Sequence, residues 1–181
     1  MAPKTKHSQE KVIAQVTMAT PLGPISLAFS ATGLKNLTFP GKNVISQNAP
    51  EKSTSKPQSL PEDTLQKWHN QVAQALEKYF AGKPASFEDL PLDLEGSPFH
   101  LRVWRELRKI PPGDTVSYQE LARRLGNPKA ARAVGQACGA NPLPLIVPCH
   151  RVIAANGTLG GFSSGLEHKR WLLAHEHADV R

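Results

Sequence analysis

Residues Leu145 to Val152 read Leu-Ile-Val-Pro-Cys-His-Arg-Val, placing one thiol between a proline and a histidine. The thiolate is the nucleophilic form of a group whose free pKa is ~8.5, and a cationic or proton-accepting neighbour such as His150 or Arg151 favours it. The β-branched residues upstream predict the end of a short apolar strand, and Pro148 presets φ near about −65° just before Cys149. A thiol held in this way could attack an electrophile. Taken alone, a Cys beside a His is more often a small buried hydrophobe beside a surface base. The surrounding sequence has to decide between nucleophile and packing.

At 181 residues the chain has the length for one large domain or two small ones with a real core. Cys138 and Cys149 are its only cysteines and form no CxxC motif. That argues against a disulfide scaffold and a thiolate zinc site, and it suits a reducing compartment. The run from Met1 to Lys11 is polar and no stretch approaches a bilayer span. The expectation is a soluble, cytoplasmic chain with no leader and no membrane contact. Charge is divided unevenly: residues 1–95 hold ten lysines, no arginine and nine acids, whereas 96–181 hold nine arginines, three lysines and six acids. Nearly all of the net +7 therefore sits in the second half. Such an excess fits a polyanion-binding surface or a solvated face.

The first half predicts antiparallel strands over Val12–Met18, Ile25–Phe29 and Leu34–Phe39, separated by Pro21-Leu-Gly-Pro24 and Ala31-Thr-Gly33. Residues 41–61 are rich in Asn, Ser, Lys, Gln and Pro and predict a flexible loop. From Glu62, the positions Leu65, Trp68, Val72, Leu76 and Tyr79/Phe80 share one helical face, which Gly82 ends. Pro84 to Glu95 predicts a connector with one short strand, and the charge shift after it places a domain boundary near Glu95–Gly96. The domains expected are 1–95 and 96–181.

The second half is helical. Ser97-Pro98 predicts an N-cap with proline in the first turn, and Phe99, Val103, Trp104 and Leu107 form the stripe behind it. Ser117-Tyr-Gln-Glu120 predicts a capping box, and Gly126-Asn-Pro128 joins that helix to another running to about Gly139. Two short helices on a tight turn form a helix-turn-helix. Val134, Ala137 and Cys138 can pack inward, leaving an outer face of Ala131, Arg132, Gly135 and Gln136. With so little bulk around Arg132, that face could enter a narrow groove or pack on a neighbour. Ser164–Glu167 predicts the cap of a last helix carrying Leu166, Trp171, Leu172 and Leu173.

Together these pieces resemble the O6-alkylguanine-DNA alkyltransferases, also called methylated-DNA–protein-cysteine methyltransferases. The matching runs are Val116-Ser-Tyr-Gln-Glu-Leu-Ala122, Ala131-Arg-Ala-Val-Gly135, Asn141-Pro142, Ile146-Val-Pro-Cys-His-Arg-Val152 and Trp171-Leu-Leu-Ala-His-Glu176. The resemblance is close over Ser97–Glu176 and looser before it. It implies an α+β fold: a small ribonuclease-H-like α/β domain with an antiparallel sheet, then a helical winged helix-turn-helix domain. It implies DNA repair by direct reversal, with Cys149 accepting the alkyl group of guanine O6, and thymine O4 as a second substrate. His150 would deprotonate the thiol through a water, Glu176 would orient that imidazole, Asn141 would brace the turn before the thiol, and Tyr118 would protonate guanine N3. Ser117, Lys129, Ala131, Arg132 and Gly135 would meet DNA through the minor groove, with Arg132 replacing the extruded nucleotide. The Ser163 N–H would face O6, carbonyls of Cys149 and Val152 would accept from the exocyclic amine, and Gly160, Lys169 and Cys138 would shape the pocket. A thioether product has no good leaving group, so the implied protein acts once per molecule, as a monomer on double-stranded DNA and without a cofactor.

Departures from the family are specific. Human-type members hold zinc through N-terminal cysteines and histidines, but residues 1–95 contain only His7 and His69 and no cysteine, so no metal is expected. His175 and His177 are expected as exposed residues at a helix end. Cys138 stands where an apolar side chain often lines the pocket, and Phe162 where some members carry tyrosine. The competing reading is a non-enzymatic alkylated-base-binding relative, which carries tryptophan at the acceptor position. Cys149 argues against it. A winged-helix regulator would need a further module, and a Cys-His hydrolase an oxyanion hole that the sequence does not supply.

Overall fold

The computed structural model describes residues 12–41 and 61–180. The N-terminal polar run and, apart from its two ends, the loop expected over residues 41–61 lie outside them. Strands β1 (Ala14–Met18), β2 (Ile25–Phe29) and β3 (Leu34–Thr38) form an antiparallel sheet in sequence order. Alternation buries Ile25, Leu27 and Phe29 of β2 on one face. In β3 the buried residues are Leu34 and Leu37, three apart, because a register shift opposite Ala28/Phe29 inserts Lys35 as an extra residue. Lys35 turns outward to Asp93 at 3.2 Å and Glu95 at 3.0 Å. The connector strand expected after Pro84 reduces to one parallel bridge between Leu34 and Leu92.

Helix α1 (Glu62–Phe80) begins with Glu62 and Asp63, whose charges suit the positive end of the helix dipole, and buries Val72, Ala75, Leu76 and Tyr79. Helix α2 (Pro98–Leu107) starts as expected: Ser97 accepts from the His100 N–H at 3.2 Å, and Pro98 takes the first position, where no donor is needed. Its Trp104 donates through Nε1 to the Ala137 carbonyl at 2.9 Å. That bond pins α2 to α4 (Ala131–Gly139), which the 3-10 turn Pro128–Ala130 precedes. Helix α3 (Tyr118–Arg124) has half of its capping box. Ser117 accepts from the Glu120 N–H, but the Glu120 carboxylate turns to Arg123 and Arg124. Strand β4 (Val116–Ser117) pairs in parallel with β5 (Val152–Ile153).

Two expectations are corrected. No strand leads into Cys149: Leu145 adopts φ 79° and Cys149–Arg151 forms a 3-10 turn. Pro144 and Pro148 withhold ladder donors, and the segment's backbone groups are met locally. The Val147 N–H donates to the Leu143 carbonyl, and the Val147 carbonyl accepts from the Asn141 side chain. At the start of α5 (Leu166–His175), Gly165 with φ 99° occupies the cap position and Ser164 makes no side-chain cap. A left-handed entry of that kind favours glycine over a serine cap.

The apolar residues join into one continuous cluster from Ile25, Phe29 and Leu76 through Trp104 and Leu107 to Val134, Leu145 and Leu172. Backbone bonding also crosses between the halves, with the Leu37 N–H donating to the Pro142 carbonyl at 2.9 Å. No helix among the described residues is long and apolar enough to cross a membrane. At Gly33 a Cβ would lie 2.4 Å from the Pro91 carbonyl oxygen, a backbone atom that cannot yield without breaking the Leu34–Leu92 bridge. Gly33→Ala is therefore expected to cost about 2 kcal/mol and lower the melting temperature by about 4–8 °C. Thermal unfolding followed by circular dichroism checks it.

Candidate active site

Cys149 opens the 3-10 turn and is only 2% exposed. Asn141, one residue past the C-cap of α4, reaches across to it. Its Nδ2 donates to the Val147 carbonyl at 2.7 Å and lies 3.1 Å from Cys149 Sγ, and its Oδ1 accepts from the Leu143 N–H at 3.0 Å. One side chain thus fixes the loop backbone and touches the sulfur.

His150 is fully buried, and its Nε2 stands 3.0 Å from Oε1 of Glu176, the residue that closes α5. Burial by itself would push the Glu176 carboxyl up, but hydrogen bonds from His150 and Arg151 outweigh it and hold the group well below the usual carboxylate range. Glu176 is therefore an acceptor, and Nε2 of His150 is the donor. Burial lowers the His150 pKa, a shift that Glu176 only partly opposes, so the imidazole is neutral. With its proton on Nε2, Nδ1 carries a lone pair. Among the described residues, Nδ1 is the buried side-chain nitrogen left without a hydrogen-bond partner.

Two further residues hold Glu176, and sequence reasoning did not assign either to that task. Arg151 donates from Nε to Oε2 at 2.8 Å and from Nη2 to Oε1 at 2.7 Å, while its Nη1 donates to the Ile110 carbonyl. Its charge is committed to the carboxylate. Tyr79 of α1 donates its hydroxyl to Oε1 at 2.7 Å. Burial, then the neighbouring Glu176 charge, raises the Tyr79 pKa and keeps it protonated. The available signal was a tyrosine on an apolar stripe, whose hydroxyl needs a partner once buried.

Around the thiol the other expected residues converge. Tyr118, at the start of α3, is half-buried and donates to the Gly161 carbonyl at 3.3 Å. Burial, with Cys138 next in weight, raises its pKa. Gly160 packs so closely that a Cβ would lie 3.0 Å from the Tyr118 ring, and one at Gly135 would touch the same ring at 3.9 Å. Lys169 is 0% exposed and donates to the carbonyls of Val152 at 2.6 Å, Leu159 at 2.5 Å and Gly161 at 3.2 Å. It thereby ties the 153–165 loop to β5. Burial lowers its pKa to about 8. Cys138 is buried, its thiol pushed up to about 12 by desolvation. Ser163 lies half-buried on the same loop, and Phe162 stands edge-on to both His150 and Phe39.

On the outer side, Lys129 and Arg132 are exposed while Ala131 and Gly135 are half-buried beside them. Ser117 is spent on capping α3. His175 departs from expectation: it is half-buried, stacked on Trp171 at 4.7 Å, and its Nε2 bonds the Tyr79 carbonyl at 2.6 Å. The neighbouring aromatic residues of α1 and α5 enclose it. His177 is exposed as expected. No group of three or more His, Cys, Asp or Glu among the described residues could hold a metal ion.

Comparison with known proteins covers most of the chain. Residues 13–94 match the 6-O-methylguanine DNA methyltransferase ribonuclease-like domain, and residues 98–178 match the DNA binding domain of the same family. The methylated-DNA–protein-cysteine methyltransferase of Methanosarcina acetivorans is 45% identical over 158 residues, 87% of this chain and 94% of the relative. Among solved structures, Mycobacterium tuberculosis OGT in complex with DNA aligns with a TM-score of 0.74 at 40% identity, covering 90% of this chain and 92% of that one. The O6-methylguanine DNA methyltransferase of Methanococcus jannaschii aligns with a TM-score of 0.61 at 31% identity, over 92% and 95%. The chain belongs to the 6-O-methylguanine DNA methyltransferase family.

Proposed function

We propose that this protein repairs double-stranded DNA by moving an alkyl group, methyl in the simplest case, from guanine O6 onto its own Cys149. The observation that carries the reading is the buried set of a thiol, a neutral imidazole with Nδ1 unpartnered and an ionised carboxylate behind it. That is a nucleophile, a base and an orienter. Cys149 Sγ attacks the alkyl carbon, so the S–C bond forms as the C–O6 bond breaks. His150 Nδ1 takes the thiol proton through a water. Tyr118, held protonated, supplies a proton at guanine N3, and the base leaves neutral. The thioether has no route back to a thiol, so one molecule repairs one lesion and no cofactor enters the step.

Access follows from size. A thiol inside a protein cannot reach O6 within a stacked duplex, so the nucleotide rotates out at a cost of about a few kcal/mol. Arg132, exposed on the small-residue face of α4, fills the space left behind, with Lys129 and the start of α3 on the backbone of the minor groove. Residues 96–181 carry the arginines and do this work, and residues 1–95 brace them. Thymine O4 presents a similar exocyclic oxygen and serves as a second substrate. The alternative of a lesion-binding protein without transfer is disfavoured by the thiol itself.

Incubation with methyl-labelled O6-methylguanine duplex should place one label per molecule on Cys149, read by peptide mass spectrometry. Label on Cys138, or repeated turnover, would refute the scheme. Cys149→Ala should abolish transfer and leave duplex affinity unchanged. Arg132→Ala should slow repair of duplex DNA about tenfold or more while leaving reaction with free O6-alkylguanine base intact, and equal losses on both would sink the wedge role. The pH dependence has a definite sign. Because the folded His150 pKa lies below its unfolded value, the base should work unchanged as pH falls from neutrality to about 6.5 and weaken only below that. Stability declines before activity does: below about pH 6.5 the unfolded chain takes up a proton that the folded one does not, until the folded imidazole titrates too. Glu176→Gln should cut the transfer rate about 100-fold and, by leaving Arg151 buried without its anion, cost about 3–5 kcal/mol of stability.

A further inference from the structure

We propose that Tyr79, on α1 in the first half of the chain, is a positioning residue for alkyl transfer, acting through Glu176 on His150. The proposal rests on the alkyl-transfer reading above and extends it to a helix of the first half of the chain.

The geometry is specific. Oε1 of Glu176 receives three donors: the Tyr79 hydroxyl at 2.7 Å, Arg151 Nη2 at 2.7 Å and His150 Nε2 at 3.0 Å. A carboxylate oxygen has two lone pairs, so three donors compete, and His150 has the longest contact. Arg151 belongs to the same 3-10 turn as His150 and moves with it. Tyr79 does not, since it lies 97 residues from Glu176 in sequence. Its ring is fixed independently, against Phe80 at 5.4 Å, Phe87 at 5.9 Å and His175 at 5.1 Å between centroids. Its carbonyl also accepts from His175 Nε2. The hydroxyl therefore gives the carboxylate a reference point outside the active-site turn.

Packing alone does not require that hydroxyl, because phenylalanine would fill the same space and keep every ring contact. Its effect is on the sharing of Oε1. Without it, the carboxylate gives more to Nε2 of His150, the imidazolium is favoured, and Nδ1 is protonated at a higher pH. The charged and titratable groups bearing on this cluster are Glu176, Arg151 and Lys169 around His150, with Cys149 and Cys138 beside Lys169 and His175 against Tyr79. In Tyr79→Phe none of these changes in charge.

The test is single-turnover transfer from an O6-methylguanine duplex by the full chain and its Tyr79→Phe variant, across about pH 5 to 8.5. The duplex dissociation constant should stay within about twofold. The acid limb should move up by about half a pH unit, so that the saturating rate constant falls about threefold on that limb and stays close to wild type well above it. An NMR titration of the His150 ring in the free protein should show the same upward move without any substrate. Phe80→Leu loosens the same aromatic cluster without touching Glu176 and should leave the acid limb in place. A Tyr79→Phe profile that overlays the wild type, or a Phe80→Leu limb that moves equally, overturns the positioning role alone. Failure of the wild-type chain to label Cys149 overturns the alkyl-transfer reading and this proposal with it.

Discussion

One carboxylate organises the centre of this molecule. Glu176 is buried and ionised, and it accepts four hydrogen bonds: two from Arg151, one from His150 and one from Tyr79. An unpaired charge in that position would be prohibitive, and even a paired one gives little net stability, because the desolvation of both ions offsets their attraction. What it supplies is geometry. The carboxylate fixes which nitrogen of His150 carries its proton, keeps the other free, and joins the end of α5 to the turn that bears the thiol and to α1 of the opposite half.

The rest of the fold can be understood as the support for that arrangement. The sheet sends a backbone donor from Leu37 to Pro142, just after Asn141, and Phe39, one residue past β3, packs against Phe162 of the 153–165 loop and His168 of α5. Lys169 gathers three carbonyls of the same region from below. Asn141 occupies the junction, with its amide spent on the loop backbone and the sulfur. The contacts of Leu37, Lys169 and Asn141 are made by polar groups with their partners in place, the condition under which a polar network rigidifies a site instead of weakening it.

The elements were legible in the sequence wherever they rest on local rules. The alternation of Ile25, Leu27 and Phe29, the helical stripe from Leu65 to Tyr79 and the Ser97-Pro98 start all depend on periodicity or capping, and all appear as expected. The segment before Cys149 was misread because its β-branched residues suggested a strand. Two prolines and the side chain of Asn141, six residues from Val147, decided otherwise. The chemistry of the thiol and its histidine could be read from adjacency. The tasks of Tyr79 and Arg151 could not, since both depend on where Glu176 arrives after the chain has folded back across 97 and 25 residues. Register had a similar blind spot: the extra residue at Lys35 is invisible to a period-two count.

The half-made capping box at Ser117 has a bearing on ionic strength. Because Glu120 turns away from the helix start, it lies against Arg123 and Arg124 at 2.8 and 3.0 Å, holding two arginines of α3 in a triad at the surface. A cation already matched by a carboxylate organises fewer displaced counterions when a phosphate arrives. If duplex DNA lies against this face as proposed, the logarithmic dependence of affinity on salt concentration would be set chiefly by charges outside that triad, Lys129 and Arg132 among them. It would then be shallower than the twelve cations of residues 96–181 suggest. The salt dependence of such a surface is decided less by the number of its arginines than by how many are left without an acid of their own.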